Sequence, residues 1–306
     1  MAALDLLLAT SRPFLADGGL ETDLIFNDGF DLPHFASFAL LATPEGRAGL
    51  ERYFDRYLDL AEKSERGFLL DTATWRANAG WAPKLGLSSA EIKDVNREAV
   101  RHARQIRARR GWADRILING CVGPAGDGYA PGQMFTPEMA EDIHRPQLEA
   151  FADEAVDLVS AMTMTHVGEA AGVVRAARAV GLPVVISFTV ETDGCLPVGT
   201  PLGRAIEEVE AATGGAPLYY GINCAHPTHF LAHLKGSWTQ RIGCVRANAS
   251  VLSHAELDEA TELDDGDPDE FGHLYSELAA RLPGLRAVGG CCGSDHRHVA
   301  AAMAAT

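Results

Sequence analysis

The chain has 306 residues, 47% of them hydrophobic and 22% charged, which is an ordinary composition for a globular protein. Its formal net charge is −16, from 26 Lys and Arg against 42 Asp and Glu, and such a surface repels the phosphate backbone of nucleic acids. The early apolar run at residues 6–9 is too short for a signal peptide or a membrane span, so we expect a cytoplasmic protein without a membrane partner.

Eight short runs rich in β-branched and apolar residues recur along the chain and are predicted to be strands. Most are separated by segments with recognisable helix starts, either Thr before Pro or Ser followed three residues later by Glu. The predicted strands are residues 13–16, 67–71, 115–122, 156–163, 183–190, 218–224, 241–246 and 285–289. The predicted helix starts are Thr43 before Pro44, Ser88 with Glu91, Thr136 before Pro137 and Thr200 before Pro201.

This alternation of strands and helices predicts the fold class. Strands that alternate with helices are buried on both faces and form a parallel sheet. Eight such units in about 300 residues predict a (β/α)8 TIM barrel, with a doubly wound open sheet as the alternative. No flexible linker divides the chain, and the acidic stretch 259–270 is interpreted as a solvated loop or the approach to a helix. We therefore predict one α/β domain over residues 1–306.

In a parallel barrel the active site forms at the carboxyl ends of the strands, so polar or sulfur residues that directly follow a strand are the candidates for function. This rule selects a small set of positions that would all face one cavity. They are Asp17, Gly18 and Gly19 after the first strand, residues 71–75 after the second, Asn223 and Cys224 after the sixth, Asn248 after the seventh, and residues 289–293 after the eighth.

Six cysteines in a chain of this size are too few for a disulfide scaffold and are expected to be free thiols, metal ligands or nucleophiles. Cys224, Cys291 and Cys292 would meet at one rim, and three thiolates match the soft ligands of zinc with a fourth tetrahedral position left for water or substrate. The glycines around the adjacent pair allow the backbone to turn sharply enough for both side chains to reach one metal. The other three cysteines, Cys121, Cys195 and Cys244, are interpreted as packing residues or as chemically idle thiols.

Three segments resemble the zinc-dependent homocysteine S-methyltransferase family: residues 17–19 (Asp-Gly-Gly), 221–224 (Gly-Ile-Asn-Cys) and 289–293 (Gly-Gly-Cys-Cys-Gly). The resemblance covers nearly the whole chain. It implies a barrel in which Cys224, Cys291 and Cys292 are the zinc ligands and catalytic residues. It also implies that Asp17 binds the ammonium group of homocysteine, while the amides of Gly18 and Gly19 bind its carboxylate.

The fourth strand departs from the family pattern. The resemblance implies a second ammonium-binding Glu at its end, but the chain has Met162 at that position, followed by Thr163. Losing one charge-assisted contact to a desolvated ammonium costs about 1.5 to 3 kcal/mol. Two explanations stay open. Glu169 or another nearby acid takes the place of the missing Glu, or the acceptor is a thiol that lacks the α-amino group or carries a different polar group in its place. Met162, Thr163, Asn223 and Asn248 are expected to line the substrate site.

The predicted reaction moves a methyl group from a small methyl donor to a small thiol acceptor. A free thiol is mostly protonated at neutral pH, whereas zinc coordination deprotonates it. The donor is expected to be a sulfonium or quaternary ammonium compound, and Trp75 is a candidate aromatic wall for its positive charge. Two rival functions remain at this point: a metal-dependent hydrolase, and a zinc-binding or redox-sensing barrel protein without methyltransferase activity. The oligomeric state is left open.

Overall fold

The computed structural model describes residues 3–306, and it contains eight parallel strands that close into a barrel in chain order. Each strand pairs with the next one, and β8 pairs with β1. The predicted (β/α)8 barrel is therefore confirmed, and the open-sheet alternative is wrong. The strands are β1 (Phe14–Leu15), β2 (Phe68–Asp71), β3 (Ile116–Val122), β4 (Leu158–Met164), β5 (Val184–Phe188), β6 (Tyr220–Asn223), β7 (Ile242–Ala247) and β8 (Ala287–Gly290).

Helices connect the strands and surround the barrel. The α-helices are α1 (Ala3–Ala9), α2 (Leu20–Phe26), α3 (Pro44–Lys63), α4 (Ser89–Ala108), α5 (Pro137–Asp153), α6 (Val167–Ala179), α7 (Leu202–Thr213), α8 (Pro227–Phe230), α9 (His254–Glu259), α10 (Pro268–Arg281) and α11 (His296–Ala305). Short 3-10 helices span Pro33–Phe35, Ser37–Ala42, Ala113–Arg115, Leu231–His233 and Ser237–Arg241. Within residues 3–306, no helix combines the length and the apolar character that crossing a membrane requires.

Three of the four predicted helix starts carry the expected caps. The Thr43 side chain accepts a hydrogen bond from the Gly46 amide, Thr136 caps α5 in the same way, and Ser88 forms a capping box at the start of α4. At Thr200 the helix begins two residues later, at Leu202. The Thr200 carbonyl accepts the Leu196 amide at 2.8 Å, so Thr200 belongs to the preceding turn.

Two apolar layers position the functional end of the barrel. All eight strands are buried throughout, and their outward side chains pack under the helices. The inward side chains Phe14, Leu69, Leu117 and Val185 form an inner cluster with Leu7 of α1. Because α1 precedes β1 and packs into this cluster, the amino-terminal end of the barrel is closed. The carboxyl ends of the strands are left to form the cavity.

Candidate metal centre and substrate cavity

Three cysteines meet at the carboxyl end of the barrel. Cys224 directly follows β6, and Cys291 and Cys292 directly follow β8. Their Sγ atoms all lie within 4.8 Å of one another, and the Sγ atoms of Cys224 and Cys292 are 3.4 Å apart. Among residues 3–306, no other trio of His, Cys, Asp or Glu side chains is arranged closely enough to hold a metal ion. The structure therefore brings together the three residues that the sequence selected.

The backbone at Cys224 adopts a conformation that is rare for a residue with a side chain. Its φ angle is 55°, in the left-handed region, which persists only where surrounding contacts hold it. The Cys224 amide donates to the Arg246 carbonyl at 3.0 Å, and its own carbonyl lies 2.8 Å from Nε2 of His254. Nδ1 of His254 is 2.9 Å from a Glu191 carboxylate oxygen. These contacts fix the direction in which the Cys224 thiol points.

The adjacent cysteines lie in a tight turn that depends on glycine. The Ser294 amide donates to the Cys291 carbonyl at 3.0 Å, and the Cys291 amide donates to Ala247 at 2.8 Å. Gly293 has a φ of 77°, which favours glycine. A Cβ atom at Gly19 would lie only 2.6 Å from the Cys291 carbonyl oxygen. The close packing of this turn against the segment after β1 accounts for the glycines on both sides.

Tyr129 is a site residue that the sequence analysis did not identify. Its hydroxyl lies 2.8 Å from Sγ of Cys224 and 3.6 Å from Sγ of Cys292, and its ring stacks on His254 with centroids 4.0 Å apart. Hydrogen bonds from Cys224, Cys291 and Tyr129 hold the pKa of the Cys292 thiol well below its usual range. The signal that could have found Tyr129 is the glycine-rich loop 123–132, which follows β3 at its carboxyl end.

A buried ion cluster forms the floor of the cavity. Arg246, which points inward from β7, donates to the carboxylates of both Asp17 and Asp71. Tyr53 donates to the other oxygen of Asp17 at 3.0 Å, and Asn119 donates to the other oxygen of Asp71 at 2.7 Å. Burial raises the pKa of Asp17 to about 7, although the Arg246 charge opposes this shift. Asp17, the predicted ammonium-binding residue, is thus already paired with a cation.

The two glycines after Asp17 are packed against the turn that carries the cysteines. The Gly19 amide donates to the Ser294 carbonyl at 2.9 Å. A Cβ atom at Gly18 would lie 2.5 Å from that same carbonyl oxygen and 2.6 Å from the Tyr57 hydroxyl. The Gly19 amide is therefore engaged within the protein, and a substrate carboxylate would have to share or displace this bond. Both glycines still line the cavity.

Asn223 links the ends of three neighbouring strands. Its side-chain oxygen accepts from the Thr163 amide at 2.8 Å and from the Ser187 hydroxyl at 2.7 Å, and its amide nitrogen donates to the Thr163 hydroxyl at 2.8 Å. These bonds occupy most of the hydrogen-bonding atoms of the Asn223 side chain and of Thr163. Both residues therefore hold the ends of these strands in place. Met162 and Asn248 are buried and line the cavity as expected.

Glu169 lies behind the cavity wall and does not replace the missing carboxylate. One of its oxygens accepts from the Ala125 amide at 2.7 Å and lies 2.9 Å from Nε2 of His144. His166 faces the other oxygen at 3.6 Å. Burial alone would raise the pKa of Glu169, but the His144 and Ala125 hydrogen bonds outweigh it and hold the pKa below its ordinary value.

Replacing Glu169 with glutamine is expected to lower the free energy of unfolding by about 1.5 to 3 kcal/mol at pH 7, because charged hydrogen bonds are lost. Because the pKa of Glu169 is lower in the folded protein than its ordinary value of 4.5, its carboxylate stabilises the folded state at pH values above 4.5. This contribution disappears as the pH falls below that value. Urea unfolding at pH 7 and at lower pH measures the difference. The exposed variant Glu259→Gln serves as the control, and a pH-independent loss in Glu169→Gln would contradict this role.

Trp75 lines the cavity, but one of its faces is already occupied. The Arg76 guanidinium lies 3.9 Å from the centroid of the Trp75 ring and 3.8 Å from that of Trp81. Arg76 also donates to the carbonyls of His34 and Gly126. The predicted aromatic wall therefore holds a cation of the protein itself on one side. Tyr129, by contrast, has its hydroxyl within 3.6 Å of two of the three sulfur atoms.

The cavity above the cysteines has a volume of about 480 Å³. Every predicted substrate residue lines it, together with the cysteine trio. The acidic stretch 259–270 does not only face solvent, because Glu262 and Asp264 form part of the mouth before α10 begins at Pro268. Cys121 also borders the cavity, whereas Cys244 packs in the inner cluster below it.

Comparison with known proteins identifies the family. The family model described as homocysteine S-methyltransferase matches residues 14–306. The chain belongs to the homocysteine S-methyltransferase family. Its members are thiol S-methyltransferases.

Individual relatives agree with this assignment. The homocysteine S-methyltransferase of Escherichia coli K12 is 30% identical over 258 residues, which cover 76% of this chain and 78% of that protein. The S-methylmethionine–homocysteine S-methyltransferase BHMT2 of mouse is 28% identical over 187 residues, 53% of this chain and 47% of that protein.

Solved structures share the fold. The crystal structure of the Escherichia coli homocysteine methyltransferase MmuM in its oxidised form superposes with a TM-score of 0.76 at 24% identity, over 100% of both chains. The metallated form gives 0.74 at 23% identity, over 99% of this chain and 100% of that one.

Proposed function

We propose that this protein is a zinc-dependent S-methyltransferase that moves a methyl group from a small sulfonium or quaternary ammonium donor to homocysteine or a related thiol. The observation that carries the proposal is the meeting of Cys224, Cys291 and Cys292 at the base of an open cavity. Family membership supports the same reaction class. With homocysteine as acceptor the product would be methionine.

The chemistry of the donor set fits zinc. Three thiolates are soft ligands, and a tetrahedral ion held by three protein groups keeps one position for an exogenous ligand. Zinc bound to Cys224, Cys291 and Cys292 would supply deprotonation of the acceptor thiol at neutral pH, which is the chemistry that the reaction needs. A metallated form of the MmuM relative is consistent with a metal at this site.

The residues of the chain orient the reacting groups. His254 and Arg246 hold the backbone of Cys224, and the 291–294 turn holds the adjacent pair. The acceptor sulfur forms a bond to the donor methyl carbon while the bond from that carbon to the positively charged sulfur or nitrogen breaks. The donor leaves as a neutral thioether or tertiary amine, and the thiol proton passes to solvent. Holding both reactants in line supplies much of the rate.

Charge around the mouth favours a cationic donor. Asp127, Asp258 and Glu262 are exposed at the entrance, and Arg76 is the basic residue near them in the lining. An acidic entrance concentrates cations by long-range attraction, and this effect weakens with salt. Tyr129 lines the cavity with its hydroxyl beside the sulfur atoms, and the ring face opposite His254 offers an electron-rich surface to the donor.

The rival functions have less support. A metal-activated hydrolase normally uses His, Asp or Glu ligands, and within residues 3–306 the candidate metal group contains only cysteines. A redox-sensing protein would not need the open cavity above the sulfur atoms. Because all six cysteines are free, we also propose a reducing, cytoplasmic location.

The test is a screen of zinc-loaded protein with homocysteine and with simple thiols. Each is paired with S-methylmethionine, S-adenosylmethionine, glycine betaine or dimethylsulfoniopropionate carrying a deuterated methyl group. We expect the label to appear in the thioether product by mass spectrometry, and to be absent with Cys291→Ala. If no donor labels any thiol, the proposed function is wrong.

A further inference from the structure

The cavity contains a carboxylate for which neither the fold nor the predicted metal site accounts. Glu21 lies in the first turn of α2, four residues after Asp17. Its side chain is partly buried and lines the cavity. One carboxylate oxygen accepts from the Ser37 hydroxyl at 2.7 Å. The backbone amide of Glu21 itself also hydrogen-bonds the carboxylate. Across residues 3–306, no residue other than Ser37 is described as donating to it from elsewhere in the chain, and no basic side chain forms an ion pair with Glu21.

The other acids in the cavity are committed elsewhere. Asp17 and Asp71 are paired with Arg246, and both oxygens of Asp264 are used, by the Ser250 hydroxyl and the Gly266 amide. The remaining lining acids, Asp127, Asp258 and Glu262, are exposed at the mouth. Among the described residues, Glu21 is therefore the partly buried acid of this cavity that is paired with no basic side chain.

Glu21 is placed where it can contact the α-ammonium group of an amino-acid thiol. Glu21 lines the same cavity as Asp17, Cys291 and Cys292. The hydroxyl of the next residue, Thr22, accepts from the Gly293 amide at 3.2 Å, so the start of α2 packs against the turn that carries the adjacent cysteines. In homocysteine a short carbon chain separates the sulfur from the α-ammonium group. A molecule whose sulfur reaches the cysteine trio thus brings its ammonium into the region that Glu21 borders.

We propose that the Glu21 carboxylate binds the α-ammonium group of the acceptor thiol, an inference that rests on the proposed function. Met162 supplies no charge, Glu169 lies behind the wall, and Asp17 already neutralises Arg246. A cation beside Glu21 neutralises a carboxylate that is otherwise partly buried without a basic partner. Ser37 fixes the rotamer of Glu21 through one carboxylate oxygen.

The test compares two ligands on the zinc-loaded protein by calorimetric titration without any methyl donor. Homocysteine carries the ammonium group, and 4-sulfanylbutanoate has the same thiol and carboxylate without it. Glu21→Gln keeps the shape and leaves an oxygen for Ser37. We expect this variant to weaken homocysteine binding by roughly 10- to 100-fold and to leave 4-sulfanylbutanoate binding unchanged, because one charge-assisted contact is lost.

Glu259→Gln is the matched control, since it removes one exposed charge that does not line the cavity, and it should change neither dissociation constant. Zinc content is measured for each variant to exclude loss of the metal. Equal weakening for both thiols, unchanged homocysteine binding in Glu21→Gln, or tighter binding of 4-sulfanylbutanoate by the wild type would each overturn the role of Glu21. Methyl transfer in the donor screen together with any of these results would leave the proposed function standing.

Discussion

Cys291→Ala is expected to lower zinc affinity by more than about 100-fold and to abolish methyl transfer, since loss of a direct ligand costs more than loss of a group that only orients one. The barrel should still fold, because Cys291 follows β8 at the rim and is only partly buried. Cys224→Ala should behave in the same way. Zinc per chain, measured after dialysis, and the labelled-methyl assay give the two readouts.

Cys244→Ala provides the matched control for the loss of a thiol. Cys244 is buried in the inner cluster away from the trio, so its removal should affect packing without affecting zinc content. Far-UV circular dichroism establishes that each variant is folded. Full zinc binding and full activity in Cys291→Ala would contradict the metal assignment.

Arg246→Met is expected to lower the free energy of unfolding by about 3 to 5 kcal/mol at pH 7, because removing one partner leaves buried charges uncompensated. Arg246 is the cation between Asp17 and Asp71, and all three side chains are at least nine-tenths buried. Without the guanidinium, no positive charge offsets the free energy of burying two charged carboxylates in the cavity floor.

The loss in Arg246→Met should depend on pH in a defined direction. Burial already raises the pKa of Asp17 from 3.8 to about 7, and removing Arg246 removes the charge that opposes this shift. A raised carboxyl pKa favours the folded state as protons bind, so the variant should regain stability as the pH falls from 7 towards 4. Urea unfolding across this range measures it. A double variant with Asp71→Asn should recover part of the loss, whereas a small, pH-independent effect would refute the role of the ion cluster.

The barrel and the cysteine trio could be predicted because each depends on local patterns. Runs of buried residues, Thr43 and Ser88 at helix starts, and the rule that function collects after parallel strands need no knowledge of distant contacts. Cys224 and the adjacent pair are 67 residues apart in the chain, yet strand ends of one barrel necessarily share a rim.

The chemistry of the cavity floor could not be predicted in the same way. Arg246 points inward from β7, whose other residues are mostly apolar. Its partners are Asp17, which lies just after β1, and Asp71, at the end of β2. Such a contact depends on register and on rotamers, neither of which the sequence pattern determines. The prediction that Asp17 binds the ammonium group of the substrate assumed that its carboxylate has no cationic partner. In the structure, Arg246 already pairs with it.

Tyr129 and Glu21 were missed for a different physical reason. Tyr129 reaches the sulfur atoms from the long loop after β3, whose path depends on tertiary packing such as its stacking on His254. Glu21 resembles an ordinary acid in the first turn of a helix, a place that favours negative charge in any protein. Only the cavity geometry separates it from the exposed acids of other helices.

Zinc K-edge X-ray absorption, recorded on zinc-loaded protein before and after adding homocysteine, examines the cysteine trio directly. We expect three sulfur ligands and one oxygen or nitrogen ligand in the free protein, from the three cysteines and one exchangeable group. After addition of the thiol we expect four sulfur ligands. A spectrum with four protein ligands that does not change when the thiol is added, or with fewer than three sulfur ligands, would contradict a substrate-binding zinc site.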